Sequence, residues 1–226
     1  MARWQRTVRR VSAAALERAD GWARSLGVRA YRPERRSADA WTDAYEAGQL
    51  DFYGALDELA RYSVLVGYVS WLAEKQSSPQ SMLDIGCGTG LLRARIVDAH
   101  LDRYVGVDLS DAAVETAIET GFPRSTFVVG DAAELALEPA DIVVLNEVLY
   151  YAPDPEAFLR RMASLVAPGG ALLISMWRHP GDRVLWRRAD AALELVDRVE
   201  VRNPGSMLNP RGWKVACYAP SATKAS

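Results

Sequence analysis

The sequence predicts an α/β domain built on a parallel sheet with helices on both faces. Three observations carry this reading. Between positions 82 and 177, short apolar strands alternate with short helical segments. A glycine-rich turn, Gly86-Cys87-Gly88-Thr89-Gly90, follows the first of those strands directly. Near the C-terminus two strand-like segments, 196–202 and 213–218, come without a helix between them, which predicts an antiparallel hairpin.

The elements follow in chain order. Trp4, Val8, Val11, Ala15, Ala19, Trp22 and Leu26 recur at helical spacing, and Arg3, Arg6, Arg9, Arg10, Arg18 and Arg24 lie on or beside the opposite face. Residues 1–36 therefore read as a basic amphipathic helix followed by a linker. Residues 37–78 carry two further helices, 38–47 stopped by Gly48 and 54–74 stopped before Ser77-Ser78-Pro79. At Ser81 the period changes, and 79–226 reads as the sheet domain. Its strands are 82–85, 104–109, 126–129, 141–145 and 171–177, and its helices 91–99, 111–119, 155–166 and 183–195. The helix over 155–166 stops at Pro168-Gly169-Gly170.

Composition narrows the function classes. The chain has 226 residues, of which 50% are hydrophobic and 25% charged, so a disordered polymer is excluded. Cys87 and Cys217 are too far apart to suggest a disulfide framework or a zinc site, and no metal-ligand spacing is visible. No apolar stretch reaches the roughly 18 residues of a membrane span and no signal-peptide core is seen, which points to a soluble, cytoplasmic protein. The formal net charge of −2 argues against a nucleic-acid partner. The charge is uneven, however: residues 1–36 hold ten arginines and three acids. For that basic helix two alternatives stay open, packing or self-association and peripheral contact with an anionic membrane face.

The glycine turn lets a ligand approach bare backbone at the end of a buried strand. Its third glycine, Gly90, comes one residue too early for the dinucleotide fingerprint, which makes a pyrophosphate cofactor a poor fit. Asp108, ending the second strand 22 residues after Gly86, suits a carboxylate that accepts both hydroxyls of a ribose. Asp131, ending the third strand, is placed to accept an exocyclic adenine amine. All these residues fall at the C-terminal ends of strands, where open α/β sheets bind ligands.

The stretch from Met82 to about Tyr218 resembles the class I S-adenosylmethionine-dependent methyltransferases. The resemblance is carried by LDIGCGTG (83–90), VGVDLS (105–110), VVGDAAEL (128–135), DIVVLNEVLYY (141–151) and LVAPGGALLIS (165–175), in the family's order. It implies a seven-stranded, mostly parallel doubly wound sheet in the order 3-2-1-4-5-7-6 with the last strand antiparallel. It also implies S-adenosyl-L-methionine as cofactor. Gly86, Cys87, Gly88 and Gly90 would flank its methionyl part, Asp108 and Leu109 its ribose, Asp131 and Ala132 its adenine, and Asn146 its transferable methyl. Asp84 would either reach the cofactor amine or hold the glycine-loop amides.

The acceptor is less defined. A hydroxyl needs a general base, and His179, Glu147 and Tyr150 follow strands 5 and 4 on the active-site side. His100 lies at the far end of the domain and reads as structural. Trp41, Tyr45, Asp51, Tyr53, Arg61, Tyr62 and Tyr68 supply aromatic rings interleaved with polar groups, a composition suited to stacking on a sugar ring. The segment 48–68 and the residues after strand 4 are also similar to bacterial glycan-modifying methyltransferases. The expected partner is thus a small-molecule or glycan acceptor, methylated on a hydroxyl. An amine acceptor and a non-catalytic binding subunit are the alternatives.

Overall fold

The computed structural model describes residues 36–178, 181–203 and 211–220. The amphipathic helix expected within 1–36 and His179 lie outside the described residues. The described residues fall in the larger of two compact units, Pro33–Ser226.

Helix α1 is Ala38–Glu46, with the Ser37 hydroxyl accepting from Ala40 N–H as its cap. A 3₁₀ turn, Asp51–Gly54, leads to α2, Leu56–Gln76, which ends at Ser77 in the left-handed conformation. The sheet strands are β1 (Gln80–Ile85), β2 (Leu101–Asp108), β3 (Ser125–Val129), β4 (Ala140–Asn146), β5 (Val166–Trp177), β6 (Glu194–Asn203) and β7 (Arg211–Ala219). Helices α3 (Asp111–Glu119), α4 (Pro155–Ser164) and α5 (Asp182–Ala192) connect them. The seven strands stand in the order β3-β2-β1-β4-β5-β7-β6. β1 to β5 run parallel, and β7 is antiparallel to both β5 and β6. Order and hairpin are as the sequence predicts.

Alternation along the strands divides the core in two. Val143 and Leu145 of β4 face one layer, with Leu159 and Met162 of α4 and Trp186 and Ala189 of α5. Ile142 and Val144 face the other, with Tyr62, Leu65, Val69 and Leu72 of α2. Those four recur at spacings of three and four, so α2 lays a continuous apolar stripe on the sheet. It is a core layer as well as a cover to the site.

The helix expected over 91–99 is not formed. Two 3₁₀ turns, Arg93–Arg95 and Asp98–His100, take its place. The β-branched pair Ile96-Val97 is extended between them. The buried Arg93 guanidinium donates to the carbonyls of Ile96 (3.3 Å) and Pro123 (2.9 Å) and to Ser125 Oγ (2.8 Å), and it pairs with Asp98. Those bonds hold the segment to the start of β3 and to its own second turn. The β5 strand also begins earlier than expected, at Val166, and carries Pro168-Gly169-Gly170 within it. The register slips there between Ala140 and Ile142 of its neighbour.

Candidate active site

The site lies along the C-terminal ends of β1, β2, β3 and β4. β1 delivers the chain into the glycine loop, where Gly86 and Gly88 have φ of 70° and 53°. A side chain at Gly86 would collide with Val148, and one at Gly88 would stand 2.6 Å from the Tyr45 hydroxyl. Glycine is required at both by backbone conformation and by space. The loop is anchored from beneath: the Gly86 and Cys87 amides donate to Val107 O at 2.7 and 3.1 Å. The Gly88 amide donates to Asp108 Oδ2 at 2.8 Å, and the Ser110 amide to Asp108 Oδ1 at 3.0 Å. A carboxylate has about four acceptor sites, so Asp108 retains capacity for ligand hydroxyls after these two bonds. Burial raises its pKa above the ordinary carboxylate range, opposed by the Ser110, Gly88 and Leu109 amides.

Above the loop is a cavity of about 380 Å³, within the range of small-molecule sites. Its wall includes Gly86, Cys87, Gly88, Asp108, Leu109, Asp131, Ala132, Asn146 and Glu147, all anticipated from the sequence. Asp131 is exposed and uses Oδ1 to accept the Ala133 amide at 2.8 Å. Cys87 is buried, and burial followed by the charges of Asp84 and Asp108 drives its thiol pKa up. That environment keeps the sulfur protonated and unreactive.

Three anticipated residues stand behind the wall rather than in it. Gly90 packs toward Phe122, Ala117 and Phe127. Tyr150 reaches the site through Glu147, to whose Oε2 its hydroxyl donates at 2.7 Å. Asp84 holds no glycine-loop amide, since those donors go to Val107 and Asp108. Its Oδ2 accepts the Tyr104 hydroxyl at 2.5 Å, while Oδ1 is buried with no hydrogen-bond partner among the described residues. Burial raises the Asp84 pKa to about 7, against the Tyr104 hydrogen bond and with the help of the Asp108 charge.

Trp41, Tyr53 and Tyr151 add an aromatic wall to the same cavity. Trp41 meets Tyr151 edge-on, centroids 5.0 Å apart. Glu147 lines this cavity with φ of 62°, a left-handed conformation that a non-glycine residue adopts at a cost. It is held there by Ser175 Oγ on Oε1 (2.9 Å) and by Tyr150 and the Trp177 amide (3.0 Å) on Oε2. Burial raises the Glu147 pKa, opposed first by the Arg61 charge and then by these hydrogen bonds. Arg61 completes the cluster, and behind it the buried Glu58, which does not line the cavity, forms an ion pair with it at 2.8 Å. The sequence placed Arg61 only in an aromatic-polar composition and did not single out Glu58 or Ser175. The visible signal was Arg61 standing between tyrosines at helical spacing, which composition alone does not convert into a contact.

The residues present fit an adenosyl ligand: bare backbone at the strand end, an acid beyond β2 with spare acceptor capacity, and a second acid beyond β3. Fold and site together define a class I S-adenosylmethionine-dependent methyltransferase. The family model described as "Methyltransferase domain" matches residues 56–218, and the chain belongs to that family. Among curated relatives, trans-aconitate 2-methyltransferase of Methylobacterium radiotolerans is 38% identical over 104 residues, covering 44% of this chain and 38% of its own. Ubiquinone biosynthesis O-methyltransferase of Bordetella avium is 36% identical over 115 residues, 47% of each. The chain thus spans less than half the length of either relative. Two solved structures share the fold. N-methyltransferase NodS from Bradyrhizobium japonicum WM9, in complex with S-adenosyl-L-homocysteine, aligns with TM-score 0.62 at 20% identity over 75% of this chain and 90% of its own. Magnesium protoporphyrin IX methyltransferase from Synechocystis PCC 6803 aligns with TM-score 0.63 at 19% identity over 81% and 98%.

Proposed function

We propose that the chain transfers a methyl group from S-adenosylmethionine to a small polar acceptor, by our reading a hydroxyl on a sugar or glycan ring. The observation that carries the acceptor reading is the pairing, in one cavity, of the Trp41–Tyr53–Tyr151 wall with the buried Glu147 carboxylate. Aromatic faces suit the apolar face of a polar ring. A hydroxyl must lose its proton as it attacks, and Glu147 is the carboxylate placed to take it. Among the described residues its Oε1 meets only the Ser175 hydroxyl, whose proton it shares with Asn146 Oδ1, and so has more spare acceptor capacity than Oε2. When bound, S-adenosylmethionine supplies an electrophilic methyl on a sulfonium. Asp108 holds the ribose, the glycine loop seats the amino-acid part, and α1 with the 3₁₀ turn excludes water from above.

One observation favours an amine as the second reading. Among the described residues lining the cavity, Asp51, Asp108, Asp131 and Glu147 are acidic and Arg61 alone is basic. That balance attracts a cationic acceptor and disfavours a polycarboxylate. NodS is itself named an N-methyltransferase.

The test is formation of S-adenosylhomocysteine by the purified chain with panels of sugars, amines, phenols and carboxylic acids. Turnover with the sugar panel is expected, and Glu147→Gln should lower it by about 10²-fold or more. Turnover with amines alone would replace the hydroxyl reading. Turnover with no panel, joined to a failure to bind S-adenosylhomocysteine, would remove the enzyme assignment.

A further inference from the structure

Arg61 of α2 lines the cavity yet is only 1% exposed, because its guanidinium is engaged on several sides. Nε–H donates to Glu58 Oε2 at 2.8 Å, Nη2 to the Tyr62 hydroxyl at 3.2 Å, and Nη1 to Oδ1 of Asn146. A guanidinium has donors and no acceptor, so the Asn146 atom that faces it must be the carbonyl oxygen. Ser175 Oγ stands 2.8 Å from the same Oδ1 and 2.9 Å from Glu147 Oε1, with its one proton between two acceptors. The carboxamide of Asn146 is therefore fixed in one of its two orientations, and Nδ2 points away from both Arg61 and Ser175.

Where Nδ2 points follows from the sheet. Asn146 is the last residue of β4, and the preceding Leu145 pairs with Ile85, the residue before Gly86. Asn146 and Gly86 thus stand side by side at adjacent strand ends, and both line the cavity.

We propose that Arg61 is a positioning residue, which locks Asn146 Oδ1 inward so that the Nδ2–H donors face the ligand seated on the glycine loop. The helix that covers the sheet thereby sets the hydrogen-bonding polarity of the cavity floor. The identity of that ligand rests on the methyl-transfer reading; the orientation of the amide does not.

Removing Arg61 alone would take its cation from beside the buried Glu58 carboxylate, so Arg61→Met is made together with Glu58→Gln. S-adenosylhomocysteine is titrated calorimetrically into the full chain and its variants. Glu58→Gln alone should bind within about twofold of wild type. Glu58→Gln/Arg61→Met and Asn146→Ala should each bind about three- to tenfold more weakly, the loss of one hydrogen bond. Combining all three should bind no more weakly than Asn146→Ala, since Arg61 acts through that amide. Arg61→Lys, which keeps a cation with donors, should recover most of the affinity. The proposal is overturned if the Arg61 effect adds in full to Asn146→Ala, if Lys restores nothing, or if Glu58→Gln/Arg61→Met binds like Glu58→Gln.

A wild-type chain that takes up no S-adenosylhomocysteine would contradict the methyl-transfer reading instead. Amide orientation is then decided by a neutron crystal structure of the full chain: an oxygen is expected at the Asn146 atom that faces Arg61, and a deuterated nitrogen there overturns the proposal.

Discussion

Asp84 is held out of water with one oxygen on Tyr104 and the other unpartnered, and that burial makes folding depend on pH. Its folded-state pKa of about 7 stands above the ordinary value of 3.8, so the folded chain binds the proton more tightly than the unfolded one. The stability this contributes is complete below about pH 4, falls as pH rises toward 7, and levels off beyond. Asp84→Asn removes the titration. The melting temperature of this variant should therefore gain on wild type steadily from pH 4.5 to 7.5, by the equivalent of a few kcal/mol. A difference that stays constant with pH would show that Asp84 is ionised at no cost. At this scale the sequence located the cavity residues that stand at strand ends, from Gly86 to Glu147. It left Asp84 between two roles, reaching the cofactor amine or holding the glycine-loop amides. The tyrosine that meets it, Tyr104, is one strand over and 20 residues away, a distance that only the parallel register of β1 and β2 closes.

Helix α1 is tied to the sheet domain by few groups. The Thr42 hydroxyl lies 2.6 Å from Asp111 Oδ1 and 3.2 Å from Ser110 Oγ, at the first turn of α3. Ser110 is fully buried, and its Oγ accepts the Ala113 amide at 3.2 Å as the cap of that helix. Thr42→Val keeps the shape and deletes the tie. Hydrogen exchange across 38–46 should accelerate about two- to tenfold, with the strands unchanged. Equal protection of α1 in both proteins would mean that Trp41 and Tyr45 alone hold it. Elements whose signals are local were legible: α3 was bounded correctly at 111–119, and Ser110 proves to be its cap. The segment 91–99 was not, because its apolar spacing suits a helix. In place of the helix the buried Arg93 bonds to Pro123 and Ser125, 30 and 32 residues away, which local spacing does not report.

Across the whole molecule, strand order and the antiparallel β7 were legible from motifs and from the missing helix before the last strand. The end walled by Trp41, Tyr53 and Tyr151 was legible in its residue types and not in its contacts. It is assembled from α1, α2, the turn after β4 and the end of β5, and sequence spacing says nothing about their meeting. Glu147, Arg61 and Ser175 converge from three of those elements, so the charge of the site emerges only in three dimensions. Among the described residues no helix is long and apolar enough to cross a membrane. The region matched by the family model, 56–218, includes α2 and the whole sheet, the parts that build the floor of the cavity.

The central claim is that the glycine loop and Asp108 seat an adenosyl ligand. Asp108 also secures the Gly88 and Ser110 amides, so Asp108→Asn, which retains one acceptor oxygen, is a gentler probe than truncation. The most direct measurement is calorimetric titration of S-adenosylhomocysteine into wild type and Asp108→Asn. Loss of the charge-assisted ribose bonds predicts binding to wild type at one per chain and at least about tenfold weaker binding to the variant, with the variant still folded. Equal affinity in the two proteins would contradict the account.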